Sequence, residues 1–167
     1  MSRHNTAIAA IATATLLGSS PTLADWSLAA GATSESTAAL QIQIDHLIPL
    51  EGLHPRLDLR LATGLLMLSS EKKGANAAWL VTPAVRYTFM GEREVFLEAG
   101  IGGALFIDTR LDARELSTSF QFEDRLALGL PWADGEISLA LIHYSNAGIR
   151  RPNDGFETLM LGYRVSL

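Results

Sequence analysis

Hydrophobic and polar positions alternate along most of the chain with a period of two. Leu40 to Ile44 alternates apolar and polar residues, and Arg56 to Leu61 puts Leu57, Leu59 and Leu61 on one face. Such alternation marks a half-buried strand rather than a helix. Trp79, Val81, Pro83, Val85, Tyr87 and Phe89 share one parity, and Val95, Leu97, Ala99, Ile101, Gly103 and Leu105 share another. Each run is about 11 residues long, which suits a tilted transmembrane strand and is roughly twice an average soluble one. Phe120, Phe122, Leu126, Leu128 and Leu130 continue the pattern, with Asp124 as an interruption that predicts a bulge or a strand end. Ile137, Leu139 and Leu141 follow, then Leu159, Leu161, Tyr163, Val165 and Leu167. With a weaker first strand around Trp26 to Thr33, the pattern predicts eight strands.

The opposite parity holds Gln41, Gln43, Arg56, Asp58, Arg60, Arg86, Glu98, Gln121, Glu123, Arg125 and Arg164. These side chains predict a polar, closed interior beneath an apolar exterior, as in an all-β, eight-stranded antiparallel transmembrane barrel of the outer membrane. A soluble sandwich or lipocalin-like barrel would reverse the two faces and is the alternative. With both termini on the periplasmic side, Pro49–Pro55, Met90–Glu94 and Pro131–Gly135 are the periplasmic turns. Ser69–Asn76, Asp108–Ser117 and Ala147–Phe156 are then the external loops, which are usually the longer ones.

Residues 1–24 carry an early arginine (Arg3), an uncharged run from Thr6 to Leu17, a Gly18–Pro21 breaker and then Thr22-Leu23-Ala24. This arrangement predicts a secretory signal peptide cleaved after Ala24, since the apolar run is short of the roughly 20 residues that cross a bilayer as a helix. Removing 24 of 167 residues leaves 143, predicted to form one barrel domain over 25–167. No stretch of 18 uncharged apolar residues follows, so the exported chain is either soluble or a barrel. The net charge of −5 and the absence of any sizeable Lys/Arg cluster argue against a nucleic-acid partner. The lack of cysteine excludes a zinc-thiolate site and a disulfide framework.

Candidate chemistry enters where the parity is violated. The seventh strand reads Ile137 to Asn146, and His143 and Ser145 fall on the lipid side with Leu139 and Leu141. Glu157 shares the parity of Leu159 and Leu161 on the eighth strand, again the lipid side, where a charged group is costly. A hairpin centred on Arg150 sets His143 directly opposite Glu157, with Ser145 one same-face position further along. Carboxylate, imidazole and hydroxyl in that order are the components of a nucleophilic triad. His46 and His54 lie beside a periplasmic turn, and His4 leaves with the signal peptide. No metal site and no dinucleotide fingerprint is predicted.

His143-Tyr144-Ser145-Asn146-Ala147-Gly148, followed by Pro152-Asn153-Asp154-Gly155 and Glu157 and running into a terminal strand, resembles the signature of the outer-membrane lipid A 3-O-deacylases of the PagL type. The specific part covers Ile142 to Tyr163, and the signal peptide and eight-strand plan extend the likeness along the chain. The final strand also resembles the C-terminal assembly signal of such barrels, though it ends on Leu167 where an aromatic is usual. The resemblance implies His143 as general base, Ser145 as nucleophile and Glu157 as orienting acid, with an oxyanion hole involving Asn146, Gly148 and Asn153. It implies hydrolysis of the ester-linked 3-hydroxyacyl chain at position 3 of lipid A, in the outer leaflet of a Gram-negative outer membrane and with no cofactor. Arg150 and Arg151 are candidate contacts for lipid A phosphates. A phospholipase or acyltransferase with the same triad, and a non-catalytic structural barrel, are the alternatives. The sequence leaves homodimerisation open.

Overall fold

The computed structural model describes residues 24–70, 74–111 and 113–166. The predicted signal peptide, apart from Ala24, lies outside the described residues. The strands are β1 (Asp25–Thr33), β2 (Ala38–Pro49), β3 (Leu57–Ser70), β4 (Gly74–Thr88), β5 (Phe96–Phe106), β6 (Arg110–Leu111), β7 (Arg114–Glu115), β8 (Phe120–Trp132), β9 (Gly135–Ser145) and β10 (Phe156–Val165). Eight of them form one closed antiparallel barrel in which each pairs with its chain neighbours, β5 lies beside β8, and β1 closes on β10. Closure leaves no unpaired strand edge, a requirement for backbone placed in hydrocarbon. The remaining two, β6 and β7, form a small hairpin in the connection from β5 to β8.

The period-two pattern sets the faces as expected. Along β2 every residue from Ala38 to His46 alternates between exposed and buried, with Leu40, Ile42 and Ile44 outward and Gln41, Gln43 and Asp45 inward. Three local expectations change. Asp124 makes neither a bulge nor a strand end: it sits in unbroken register between Ile101 of β5 and His143 of β9. Its polarity, not its backbone, breaks the pattern. The expected external loop Ser69–Asn76 is mostly strand, since β3 and β4 stay paired out to Ser70 and Gly74. Arg56 precedes β3, where it reaches Phe89 O in the adjoining turn rather than the lumen.

The interior is polar only in part. Towards the β2–β3, β4–β5 and β8–β9 turns it is a web of ion pairs: Arg60 with Asp45 at 2.9 Å, Arg164 with Asp45 at 2.6 Å and Glu136 at 3.3 Å, and Arg86 with Glu98 at 2.6 Å and Glu136 at 2.8 Å. Asp25 adds a further bond to Arg164. Removing one member of such a set leaves a buried charge uncompensated, so each depends on the others. Towards the opposite end, where β9 and β10 are joined, the lumen is filled instead by Leu66, Leu68, Leu80, Phe106, Ile142, Tyr144, Phe156 and Met160, all nearly inaccessible. Leu111 and Leu116 from the β6–β7 region close this apolar plug from above. The plug supports the end of the barrel that carries the candidate chemistry.

Candidate active site

β9 and β10 pair so that residue numbers sum to 300, which sets Glu157 opposite His143 and Leu159 opposite Leu141. Both polar side chains project outward from the barrel and are about half exposed. The His143 Nδ1–H donates to Glu157 Oε1 at 3.0 Å. Because the carboxylate accepts, Nδ1 carries the proton and Nε2 is left with its lone pair, the tautomer a general base needs. Ser145 lies two residues further along β9 on the same outer face, about 6.6 Å of strand rise away. The Ser145 Oγ accepts from the Ala147 N–H at 3.4 Å and is not bonded to His143. Catalytic hydrogen bonds are often long or absent before substrate binds, and a change of χ1 is enough to re-aim a serine hydroxyl.

Gly155 stands across the hairpin from Ser145. A Cβ at Gly155 would lie 3.0 Å from His143 Cε1 and 3.1 Å from Ser145 Cβ, so any larger residue would push into the space between imidazole and hydroxyl. The glycine therefore keeps the gap open across which the two must meet.

The turn between β9 and β10 is built around Asn146, which is fully buried. Its carboxamide nitrogen donates to Leu116 O at 2.9 Å and Arg150 O at 2.8 Å, and its Oδ1 accepts from the Gly148 N–H at 2.8 Å. Ala147 and Gly148 adopt positive φ values of 52° and 80° to complete the turn. Asn153 Oδ1 accepts from the Asn146 N–H at 2.9 Å. That bond fixes which end of the Asn153 amide faces the chain, and its Nδ2 is turned away with both protons unclaimed by protein among the described residues. Of the three predicted oxyanion-hole residues, Asn146 and Gly148 are thus occupied in shaping the turn and Asn153 retains free donors.

Two neighbouring loops, neither carrying a triad residue, brace this arrangement. Ser34, after β1, donates its N–H to Glu157 O at 2.8 Å, and its hydroxyl accepts from the Glu157 N–H at 3.3 Å. Arg114 of β7 donates to Glu35 at 2.7 Å and to Gly155 O at 3.0 Å. Glu115 and Asp154 exchange two further bonds, 3.2 and 3.3 Å long. The Arg110 guanidinium bonded to Glu115 holds that carboxyl below its ordinary range, so it stays charged at neutral pH. Arg150 and Arg151 are exposed in the same turn, their guanidiniums unpaired among the described residues. His46 on β2 and His54 in the turn between β2 and β3 lie on other parts of the chain.

Reading the sequence missed Asp124 as a member of this outer row, and it missed Gly155, Arg114 and Ser34 as supports. The parity of Asp124 was a usable signal, since it shares the outward face of Phe122 and Leu126 on its strand. The supports belong to loops, where no periodicity fixes which side chain meets which partner.

The model of the family described as lipid A 3-O-deacylase (PagL) matches residues 39–166, more than half of the chain. A lipid A deacylase PagL of Pseudomonas aeruginosa is 44% identical over 87 residues, which are 51% of this chain and 50% of that protein. A lipid A deacylase PagL of Bordetella bronchiseptica is 40% identical over 74 residues, 44% of this chain and 41% of that protein. The matched segments thus span half or less of those relatives. Among solved structures, that of the outer membrane enzyme PagL superposes with a TM-score of 0.76 at 32% identity, covering 86% of this chain and 99% of that one.

Proposed function

Because this chain belongs to the lipid A 3-O-deacylase (PagL) family, we propose that it removes the ester-linked 3-hydroxyacyl chain at position 3 of lipid A by serine-esterase chemistry. The barrel is an integral outer-membrane protein. The observation that carries the reading is the His143–Glu157 hydrogen bond on its outer face, one same-face step from Ser145. An ester held in the surrounding lipid reaches such a site by lateral diffusion and never needs to enter the lumen.

In this reading Ser145 Oγ attacks the ester carbonyl carbon while His143 Nε2 takes the hydroxyl proton. Glu157 stabilises the imidazolium that forms. Asn153 Nδ2 and the N–H groups of the turn that Asn146 and Gly148 shape face the developing oxyanion. His143 then returns the proton to the sugar oxygen as the carbon–oxygen bond breaks, leaving the acyl group on Ser145. Water, activated by the same imidazole, frees the 3-hydroxy fatty acid and restores Ser145. Arg150 and Arg151 contact the lipid A phosphates, for which guanidinium is well matched. The reading puts this chemistry at the level of the outer leaflet and takes residues 1–24 as the export signal.

Mass spectrometry of lipid A from cells expressing wild type or Ser145→Ala tests the proposal. The wild type is expected to remove one 3-hydroxyacyl mass and the variant none. Equal spectra from the two, with both barrels inserted, would overturn it and favour glycerophospholipid turnover or a structural role.

A further inference from the structure

Tyr144 stands on β9 between His143 and Ser145 and points the other way, into the lumen, where it is fully buried. Its side chain is held from both sides. On the β10 side the ring stacks on Phe156, the residue paired with it and the chain neighbour of Glu157, with centroids 5.0 Å apart. On the β8 side the Tyr144 hydroxyl donates to Oε2 of Glu123, its paired residue there, at 3.3 Å. Glu123 is itself inaccessible, and its other oxygen accepts from the Thr82 hydroxyl at 2.9 Å. Thr82 in turn accepts from Gln43 Nε2 at 3.1 Å. A chain of buried hydrogen bonds thus runs from β2 through β4 and β8 to the side chain that separates His143 from Ser145.

Stability is a poor explanation for an acid group at this depth. Burying a carboxyl costs free energy that its hydrogen bonds only partly return, and an apolar pair of similar volume often packs as stably. What the hydrogen bond adds is direction, since it weakens steeply with angle, whereas apolar packing keeps its stability while losing uniqueness. The outer face at this level needs that definition. His143 and Ser145 are not bonded to each other, so the backbone of β9 sets their separation. A misplacement of about 1 Å is enough to cost much of a catalytic rate. A residue pinned to β8 and β10 at once fixes the twist of β9 where it stands, and with it the directions of its two neighbours.

We propose that Glu123 is a positioning residue: through Tyr144 it fixes the twist of β9, and so aligns the His143 imidazole with the Ser145 hydroxyl for proton transfer. The inference rests on the esterase reading above and adds a lumen residue that serves it without touching substrate. An interaction of this kind is expressed in kcat rather than in KM.

The test uses the full barrel refolded in detergent, with lipid A as substrate and urea unfolding measured on the same preparations. Tyr144→Phe deletes the hydroxyl and keeps the ring stack. It is expected to lower kcat about fivefold to tenfold at unchanged KM, in the folded protein. Glu123→Gln keeps a carbonyl that accepts from Tyr144 and gains an amide that donates to Thr82, so its kcat is expected to stay within about twofold of wild type. Glu123→Leu should be as slow as Tyr144→Phe, and the double variant no slower than either, because all three lack the same bond. If the leucine variants fail to fold, Tyr144→Phe and Glu123→Gln decide between them. Wild-type kcat in Tyr144→Phe, whether or not its unfolding midpoint falls, overturns the inference and leaves the esterase reading standing. So does a loss carried by KM, and so does a Glu123→Gln variant as slow as Tyr144→Phe, which would assign the effect to the charge of Glu123 instead of the tether. A wild type that leaves lipid A intact overturns both readings together.

Discussion

The two faces of β9 and β10 near the loop that joins them invert the rule that holds at their far ends. Towards the far ends the outer face is Leu139 and Leu161 and the inner face carries Glu136 and Arg164. Near the joining loop the inner face is Ile142, Tyr144 and Phe156, nearly inaccessible, and the outer face is His143, Ser145 and Glu157. Tyr144 and Phe156 stack with centroids 5.0 Å apart, and Phe106 meets both edge-on at 5.7 and 5.8 Å. Polar groups in a lipid-facing position cost stability, and a close-packed aromatic lumen behind them is a rigid support on which their spacing can be kept. Under the proposed function, the inversion separates two tasks on one pair of strands, with packing on the inside and chemistry on the outside.

The largest effect that sharpens this separation is expected at Glu157. Glu157→Gln keeps the shape and removes the negative acceptor, so the imidazole loses its preferred tautomer and its stabilised cation. A loss of about 10³- to 10⁴-fold in kcat is expected, by analogy with carboxylate-to-amide changes in serine triads. The midpoint of unfolding should hardly move, because the side chain is about half exposed. Deacylation rates and urea unfolding on the same preparation check both halves.

The complementary change lies on the inner face. Phe156→Ala removes a fully buried ring from the aromatic triple, and such truncations cost about 3–5 kcal/mol. The denaturation midpoint should fall strongly, while residual folded protein keeps its KM. If instead KM rises with little change in stability, the lumen side chain takes part in substrate binding and the separation is broken.

Asn153 lies between the two tasks. Asn153→Ala and Asn153→Asp both remove the Nδ2 donor, but the aspartate keeps an acceptor for the Asn146 N–H. Loss of an oxyanion donor costs about 10²- to 10³-fold in kcat. If the donor is what counts, the two variants should be similarly slow. If Asn153 only shapes the turn, the aspartate should be close to wild type.

How far the chain disclosed this arrangement follows from which interactions have a period. Strand parity is local, so Leu57, Val85 and Leu139 announce their faces without knowledge of the fold, and one hairpin register was enough to bring Glu157 to His143. Closure into a barrel follows from having eight such strands of membrane-spanning length. Asp124 was visible as an anomaly of pattern, but its meaning depended on the β8–β9 pairing, which bridges no short turn near the site. The apolar plug was hidden because Ile142, Tyr144 and Phe156 occupy the parity expected to be polar. The Arg114 brace joins residues 41 positions apart through an irregular loop, a contact that no spacing rule anticipates.

Arg114 gives the smallest expected effect and the finest distinction. Its guanidinium bridges Glu35 to the carbonyl of Gly155, the residue whose missing side chain leaves room between His143 and Ser145. Arg114→Met keeps the apolar stem and deletes both bonds. Being about one-third exposed, the ion pair contributes little in water, so the stability loss should be about 1 kcal/mol or less. If the brace positions the Gly155 backbone, kcat should fall about fivefold while KM is steady, the pattern of an interaction expressed in the transition state. Glu35→Gln separates the two bonds, because it weakens the ion pair and leaves the Gly155 carbonyl its donor. Near-normal turnover in Glu35→Gln beside slowed turnover in Arg114→Met would assign the effect to the carbonyl contact. Equal slowing in both would assign it to the ion pair, and the first loop would then be what holds the site in register.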